Sequence, residues 1–165
     1  MSFEFYISIK GKSQKQFKPE TKKAGRSEKH IPCIKFFMSS QVPVDANSGE
    51  AKGHRQHKPL IVTKEWGAAS PQILQAHWTN EVLDEVVIDV VGRDKDGKRE
   101  IVVEQIKLTD AVITSVERYS SASAKATVDT DVQHLEDIGF RFRKIEVENK
   151  EAGTATSDDW LTPGS

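Results

Sequence analysis

Apolar and polar residues alternate along several short stretches, which predicts a chain built mainly of β-strands. Every second residue from Phe3 to Ile9 is apolar, and Gly11 ends this run. A period of two places alternate side chains on opposite faces, so we expect a half-buried strand here. Residues 31–38 are apolar at both parities. This second pattern predicts a strand that is covered on both faces.

The region after residue 80 predicts a β-hairpin followed by a further strand. Residues 85–93 and 99–108 flank an Asp-Gly pair at 96–97, a dipeptide typical of hairpin turns. In the first arm, apolar side chains occupy both faces: Val86, Ile88 and Val90 on one, Val87 and Val91 on the other. One face can line a barrel interior, and we expect a neighbouring subunit to cover the other.

The last third of the chain predicts a linker, a closing strand and a tail. Residues 112–119 indicate another strand, and residues 120–131 are linker-like in composition. Residues 138, 140, 142 and 145 are apolar, and this change of parity predicts a β-bulge near Arg143-Lys144. The polar residues 150–165 predict a tail that is flexible unless Trp160 and Leu161 dock.

One helix is expected between the two β regions. Ser70 is a predicted N-cap and Pro71 suits the first helical position, so the helix should span about residues 71–80. Its predicted buried stripe has helical spacing. The stripe consists of Ile73, Leu74, His77 and Trp78.

Two polar stretches predict loops, and a proline between them predicts the start of a strand. Residues 11–29 are rich in lysine and read as a solvated loop, and residues 39–52 read as an extended one. Gly49 and Gly53 permit positive φ angles in the second loop. Lys58-Pro59 favours extended geometry and should begin a strand over residues 60–63. The predicted fold is mainly β, a β-barrel of two antiparallel sheets with one flanking α-helix and an extended loop, as a single domain over residues 1–165.

Composition supports a folded protein and argues against some partners. The chain has 165 residues, of which 36% are hydrophobic and 30% charged, enough for one domain with a core. The formal net charge of -1 argues against nucleic acid or an anionic membrane as the main partner. No long apolar run and no signal peptide is recognisable, so we expect the protein to begin in the cytoplasm. Cys33 is the single cysteine and is expected to be a small core residue.

Candidate chemistry is sparse, and we expect no catalytic residue, no metal and no cofactor. A zinc site could be assembled from His54, His57, Glu65 and His77, but this spacing is unspecific. Ser70 lacks the Gly-x-Ser-x-Gly context of a nucleophile. Asp89 and Glu104 could face each other across the hairpin, although such charges more often face solvent or an interface. Two alternatives to a structural role stay open.

The first alternative is a small metal-dependent hydrolase, which would use the histidines. The second is an oligonucleotide-binding barrel, in which Trp66, Trp78 or Tyr6 would stack on bases. A metal analysis tests the first, and salt-dependent nucleic-acid binding tests the second.

One segment resembles a known family. The run Gly-His-Arg-Gln-His-Lys-Pro at 53–59, the Thr-Lys-Glu at 63–65 and the Ser-Pro at 70–71 are similar to the haemolysin-coregulated protein (Hcp) family of type VI secretion systems. Gly67 stands where the family has an aspartate, and Trp66 where it has an aliphatic residue. The signature residues are Gly53, Arg55, Gln56, His57, Pro59, Thr63, Lys64, Ser70 and Pro71.

The resemblance implies a non-enzymatic tube protein. Family members form six-membered rings that stack into a tube and leave the bacterium with effectors, without a signal peptide. The implied partners are further copies of the chain and the sheath, spike and effector proteins, with no nucleic acid and no membrane insertion. The expected ring-stacking loop comprises Val42, Pro43, Val44, Asp45, Ala46, Asn47, Ser48, Gly49, Glu50 and Lys52. The expected subunit-interface residues are Val87, Asp89, Val91 and Glu104.

Overall fold

A computed structural model describes residues 3–21, 28–120 and 134–160. Within these ranges the chain forms strands and a single helix, α1. The elements are β1 Glu4–Gly11, β2 Lys15–Gln16, β3 Ile31–Cys33, β4 Lys35–Phe37, β5 Ser40–Gln41, β6 Gln56–His57, β7 Leu60–Glu65, α1 Ser70–Thr79, β8 Leu83–Arg93, β9 Glu100–Ser120, β10 His134–Asn149 and β11 Thr154–Asp159.

The strands form one nine-stranded antiparallel sheet and one two-stranded sheet. The large sheet has the order β2-β1-β8-β9-β10-β7-β4, with β3 added to β1 and β11 added to β10, and β5 pairs with β6. The consecutive strands β3 and β4 therefore contact β1 and β7, two distant members of the path. The predicted mainly β fold with one helix is confirmed. The predicted barrel is not, because the ladders of the described residues do not close.

The hydrophobic core lies between the inner face of the large sheet and α1. Its side chains come mostly from β1, β7, β8, β9 and β10, and Ile73 of the helix joins them. Phe17 is fully buried in this core, and β2 precedes it. The prediction that residues 11–29 form only a solvated loop is therefore wrong at this point. Residues 22–27 lie outside the described residues.

The two N-terminal strand predictions need correction. β1 is buried on both faces in its middle, where Tyr6 and Ser8 are 5% and 7% exposed. The stretch 31–38 is not one covered strand but two, separated at Ile34. Phe37 in β4 is 63% exposed, because no described element packs over this side of the strand.

The predicted hairpin is confirmed, and its second arm is longer than expected. β8 pairs antiparallel with β9 across a turn in which Gly97 has a φ of 70°. β9 runs unbroken from Glu100 to Ser120, so the two strands predicted at 99–108 and 112–119 are one. Asp110, whose φ is 51°, lies where the prediction separated them.

The predicted bulge near Arg143-Lys144 is misplaced. The register of β10 with β9 is the same before and after that point, with Phe142 opposite Ala111 and Lys144 opposite Thr109. It shifts instead between Gly139 and Phe140.

The helix spans Ser70–Thr79 as predicted, but its start and buried face differ. The N-cap is Ala69, and no side chain caps the helix, so the predicted N-cap role of Ser70 is wrong. The buried helical residues are Ser70, Ile73 and Ala76. Trp78, predicted to be buried, is 74% exposed. None of the described helical structure has the length and apolar character of a membrane span.

The C-terminal region contains regular structure where a tail was predicted. β11 pairs antiparallel with the second half of β10, from Lys144 opposite Asp159 to Asn149 opposite Thr154. This pairing extends the large sheet by one strand. Leu161 and the linker residues 121–131 lie outside the described residues.

Candidate functional site

The segment between β4 and β7 forms a projecting hairpin, which we call the hairpin arm (residues 40–57). β5 pairs with β6 at its base, and a bridge joins Val44 to Ala51 nearer its tip. The amide of Lys52 donates to the Pro43 carbonyl at 2.6 Å. Gly49 and Gly53 have φ angles of 72° and 89°, as predicted. All members of the expected ring-stacking loop lie in this arm, and nearly all are exposed.

A charged cluster, which we call the Asp158 clamp, ties the base of the arm to β11. The Asp158 carboxylate accepts hydrogen bonds from both Arg55 and His57; Arg55 Nε and His57 Nε2 each lie 2.6 Å from Oδ2. The Arg55 guanidinium, helped by His57, lowers the pKa of Asp158 from 3.8 to about 2. The clamp therefore joins two elements that are about a hundred residues apart in sequence.

A pocket of about 340 Å³ opens beside the clamp. The ring of His57 lies 5.4 Å from that of Phe142 and 5.8 Å from that of Trp160. The described residues that line it are His57, Lys58, Arg141, Phe142, Arg143 and Trp160. We call this the cationic pocket, because every charged residue in the lining is basic or imidazole.

A second charged cluster is buried beneath α1. Lys64 is fully buried, and its Nζ lies 2.9 Å from Glu20 Oε1 and 2.8 Å from Glu136 Oε1. The Ser70 hydroxyl donates to Glu136 at 2.6 Å. Arg118 lies 3.5 Å from the other oxygen of Glu136. Two carboxylates thus compensate the buried Lys64 ammonium. The Ser70 hydroxyl is engaged in the same cluster through its hydrogen bond to Glu136.

Four of the nine signature residues belong to these two charged clusters. Arg55 and His57 form the clamp, and Lys64 and Ser70 belong to the buried cluster. The Thr63 hydroxyl donates to Asp137 on β10 at 2.6 Å. The other members lie at the arm, at the start of β7 and in the first turn of α1: Gly53, Gln56, Pro59 and Pro71.

The two positions where the segment departs from the resembling family have a local explanation. A Cβ at Gly67 would overlap the Glu20 carboxylate, so a larger residue would displace Glu20 from Lys64 and from the Ala69 amide, to which it is bonded at 2.9 Å. The Trp66 ring stacks on the His134 ring, with the ring centroids 4.6 Å apart. The indole N–H of Trp66 donates to the Leu135 carbonyl at 2.8 Å.

The aromatic residues considered as base-stacking platforms are unequally accessible. Arg118 lies 4.2 Å above the Trp66 ring, which therefore already has a cationic neighbour. Tyr6 is 5% exposed and donates to Glu4. Only Trp78 presents most of its surface.

The four expected interface residues on β8 and β9 do not share one exposed surface. Asp89 and Val91 are 5% and 2% exposed, so they are interior residues of the protomer and unsuitable as contact surface. Asp89 accepts from Gln105 at 2.9 Å and contacts His30 at 3.2 Å. Val87 and Glu104 are partly exposed and stay candidates. Glu104 is paired with Val90, so the considered acid pair is not formed.

The residues considered for a metal site are distributed over the molecule. His54 is exposed on the arm, and His57 belongs to the clamp. His77 donates to the Ile113 carbonyl at 2.9 Å. In the described ranges no three metal-binding side chains converge. Cys33 packs against the core, and burial raises the pKa of its thiol to about 12.

An exposed apolar surface, missed by the sequence prediction, runs along β4 and onto the arm. We call it the apolar edge: Ile34, Phe37, Met38, Val42 and Val44, which are 45%, 63%, 43%, 40% and 62% exposed. β4 ends the path of the large sheet, and β7 is its only strand partner in the described chain. Pro32 and Lys35 were available signals, because proline and lysine are typical of edge strands.

Comparison with known proteins gives consistent matches. The family model described as "Type VI secretion system effector, Hcp" matches residues 6–148. The "Major exported protein" of Pseudomonas aeruginosa (strain PAO1) is 34% identical over 122 residues, which cover 74% of this chain and 70% of that protein.

Solved structures match over nearly the whole chain. One, described as "Crystal structure of Hcp protein", has a TM-score of 0.86 at 27% identity and covers 96% of this chain and 98% of the other. Another, "Secreted protein Hcp3 from Pseudomonas aeruginosa", has a TM-score of 0.77 at 26% identity, with coverage of 98% and 100%.

Proposed function

The chain belongs to the Hcp family of type VI secretion proteins, and from this premise we propose that it is the structural subunit of a secreted tube. Six copies form a ring, the rings stack, and the tube carries effectors out of the bacterium through contacts with sheath and spike proteins. Residues 1–165 act as one domain. The subunit begins in the cytoplasm, needs no signal peptide, and has no catalytic activity of its own.

The observation that carries this proposal is the apolar edge. Five large apolar side chains between residues 34 and 44 are each at least 40% exposed, and exposed apolar surface of this kind favours protein contact. β4 also presents backbone donors and acceptors on the side away from β7. A neighbouring copy can cover both the side chains and the strand edge.

A closed ring needs two different surfaces on each subunit, because every subunit contacts one neighbour on each side. The apolar edge supplies one of them. The partly exposed residues Val87 and Glu104 are candidates for the other. Such contacts are heterologous, so the ring closes without a two-fold axis.

The hairpin arm suits a second contact, between rings. Its strands form a sheet separate from the large one, and the arm has hydrogen bonds and a bridge of its own. The Asp158 clamp fixes the direction of its base. We therefore assign ring stacking to the arm.

The substitution Phe37→Glu tests the ring directly. A charge on this exposed side chain should leave the fold intact but make the subunit contact unfavourable, so the sedimenting species should fall from six subunits to one. The matched control is Trp78→Glu, which places the same charge on another exposed aromatic, far from the apolar edge in sequence. Six-subunit particles that persist in Phe37→Glu at wild-type abundance would contradict the assignment.

A further inference from the structure

The cationic pocket lies outside the apolar edge, beside the base of the hairpin arm. We propose that it binds an acidic peptide segment of a partner protein, in which a carboxylate stands beside an aromatic or branched aliphatic side chain. The lining brings together the base of the hairpin arm, β10 and the residue after β11.

The size and walls of the pocket fit one large apolar side chain. Phe142 and Trp160 supply carbon surface on two sides, with the His57 ring between them. The volume, about 340 Å³, falls at the lower end of the range of roughly 300–1,000 Å³ for small-ligand pockets. A pocket of this volume can hold a large apolar side chain of a peptide together with the adjoining backbone.

The charges of the lining select for an acidic partner. Lys58 and Arg141 are exposed, and no carboxylate of the described residues pairs with either. Arg143 differs, because it already forms two ion pairs. Its Nε lies 2.8 Å from Asp110 Oδ2, and its Nη1 lies 2.7 Å from Asp159 Oδ2. Among the described residues, two positive charges thus remain uncompensated at a largely apolar cavity, and the described lining contains no Asp or Glu. A carboxylate would pair with these cations while its neighbouring side chain enters the cavity.

The same features argue for a peptide over a nucleic acid. A strand of nucleic acid requires a row of basic side chains along its phosphates and several stacking platforms. The pocket offers two uncompensated cations and one exposed indole, Trp160, which is 45% exposed. The formal net charge of the chain is -1, so its surface as a whole is not basic.

Fluorine NMR of the full chain labelled with 5-fluorotryptophan tests the proposal, since the chain has three tryptophans. Trp160→Phe assigns the pocket signal. The probe is the peptide acetyl-Asp-Phe-Asp-amide, compared with acetyl-Asn-Phe-Asn-amide, which has the same shape without charge. The acidic peptide should shift the Trp160 signal saturably and leave Trp66 and Trp78 unchanged. The neutral peptide should bind at least about tenfold more weakly.

Substitutions at the exposed cations sharpen this test. Arg141→Gln and Lys58→Gln should each weaken the acidic peptide severalfold, because each removes one charge from the pocket mouth. The control is Lys95→Gln in the exposed β8–β9 turn, which should bind like the wild type.

Several results would overturn the proposal. The first is that the acidic peptide leaves the Trp160 signal unchanged. The second is that the neutral peptide binds as tightly as the acidic one. The third is that Arg141→Gln binds the acidic peptide as tightly as the wild type does. Equal binding of oligothymidylate would assign the pocket to nucleic acid instead. Binding to a chain ending at Trp160 but not to the full chain would show that the protein's own last residues occupy the pocket. Because the peptide test does not depend on particle size, its failure leaves the ring proposal intact.

Discussion

At the scale of single residues, the signature segment works through partners that lie far from it in sequence. Lys64 is neutralised by Glu20 and Glu136, and Arg55 and His57 converge on Asp158. A single sequence marks Lys64 as a charged residue in a strand, which ordinarily faces water. The burial of Lys64 follows from the pairing of β10 with β7, which places Glu136 opposite it. The segment was therefore recognisable from sequence, but the task of each of its residues was not.

Substitution of the buried lysine should be strongly destabilising. Lys64→Met removes the only ammonium between two buried or nearly buried carboxylates, and leaving a buried charge uncompensated costs about 3–5 kcal/mol. Urea unfolding measures this loss. The control Lys95→Met, at an exposed turn position, should change the free energy of unfolding by less than about 0.5 kcal/mol. Equal stability of the two variants would mean that the buried cluster is not formed.

The clamp predicts a dependence of stability on pH. The folded pKa of Asp158 is lowered from 3.8 to about 2, so its stabilising effect is complete above pH 3.8 and is lost as the pH falls through 2. Asp158→Asn should therefore reduce the free energy of unfolding by about 1–3 kcal/mol at neutral pH, since hydrogen bonds to a charged group have this magnitude. The difference from the wild type should shrink between pH 4 and pH 2.

Urea titrations at several pH values check this behaviour. Asp96→Asn, in the exposed turn between β8 and β9, is the matched control and should show little difference from the wild type at any pH. A wild-type advantage over Asp158→Asn that persists undiminished at pH 2 would refute the clamp.

At the scale of elements, periodicity located strands well where their environment was uniform. β1 follows from alternation, β7 from the proline that precedes it, and β8 from its apolar run and the Asp-Gly turn that follows. Alternation failed where the environment changes along a strand. For example, β4 is apolar, but its Phe37 is exposed. The sequence predicted two strands where β9 is one, because the apolar pattern is interrupted near Asp110. β11 is composed of small polar residues, and only its pairing with β10 makes it a strand.

The hairpin arm was expected as an extended loop, and its internal bridge gives it enough structure to be tested alone. Ala46→Glu places a charge near the arm tip, on an exposed residue that is not part of the apolar edge. The fold and the ring should persist, because the arm is held by its own hydrogen bonds, whereas stacking of rings into tubes should weaken.

Electron microscopy of concentrated protein measures this effect as tube length. Asn47→Asp, which introduces a charge in the same arm at a polar position, is the comparison and should act less strongly. Tubes of wild-type length in Ala46→Glu would remove the arm from the stacking contact.

At the scale of the whole molecule, the Hcp fold positions three neighbouring surfaces around one core. The apolar edge begins at the end of the large sheet and continues onto the hairpin arm, and the cationic pocket lies between the base of the arm, β10 and the residue after β11. The mainly β class, the single helix and the family followed from the sequence. The open sheet and the apolar edge did not, because both depend on which strands lie side by side.

The central claim is that copies of this chain close into a ring through the apolar edge, and native mass spectrometry of the wild-type protein tests it most directly. The account predicts a dominant species of about 111 kDa, six times the 18.5 kDa of one chain. A population that stays at 18.5 kDa over the whole accessible concentration range would contradict it.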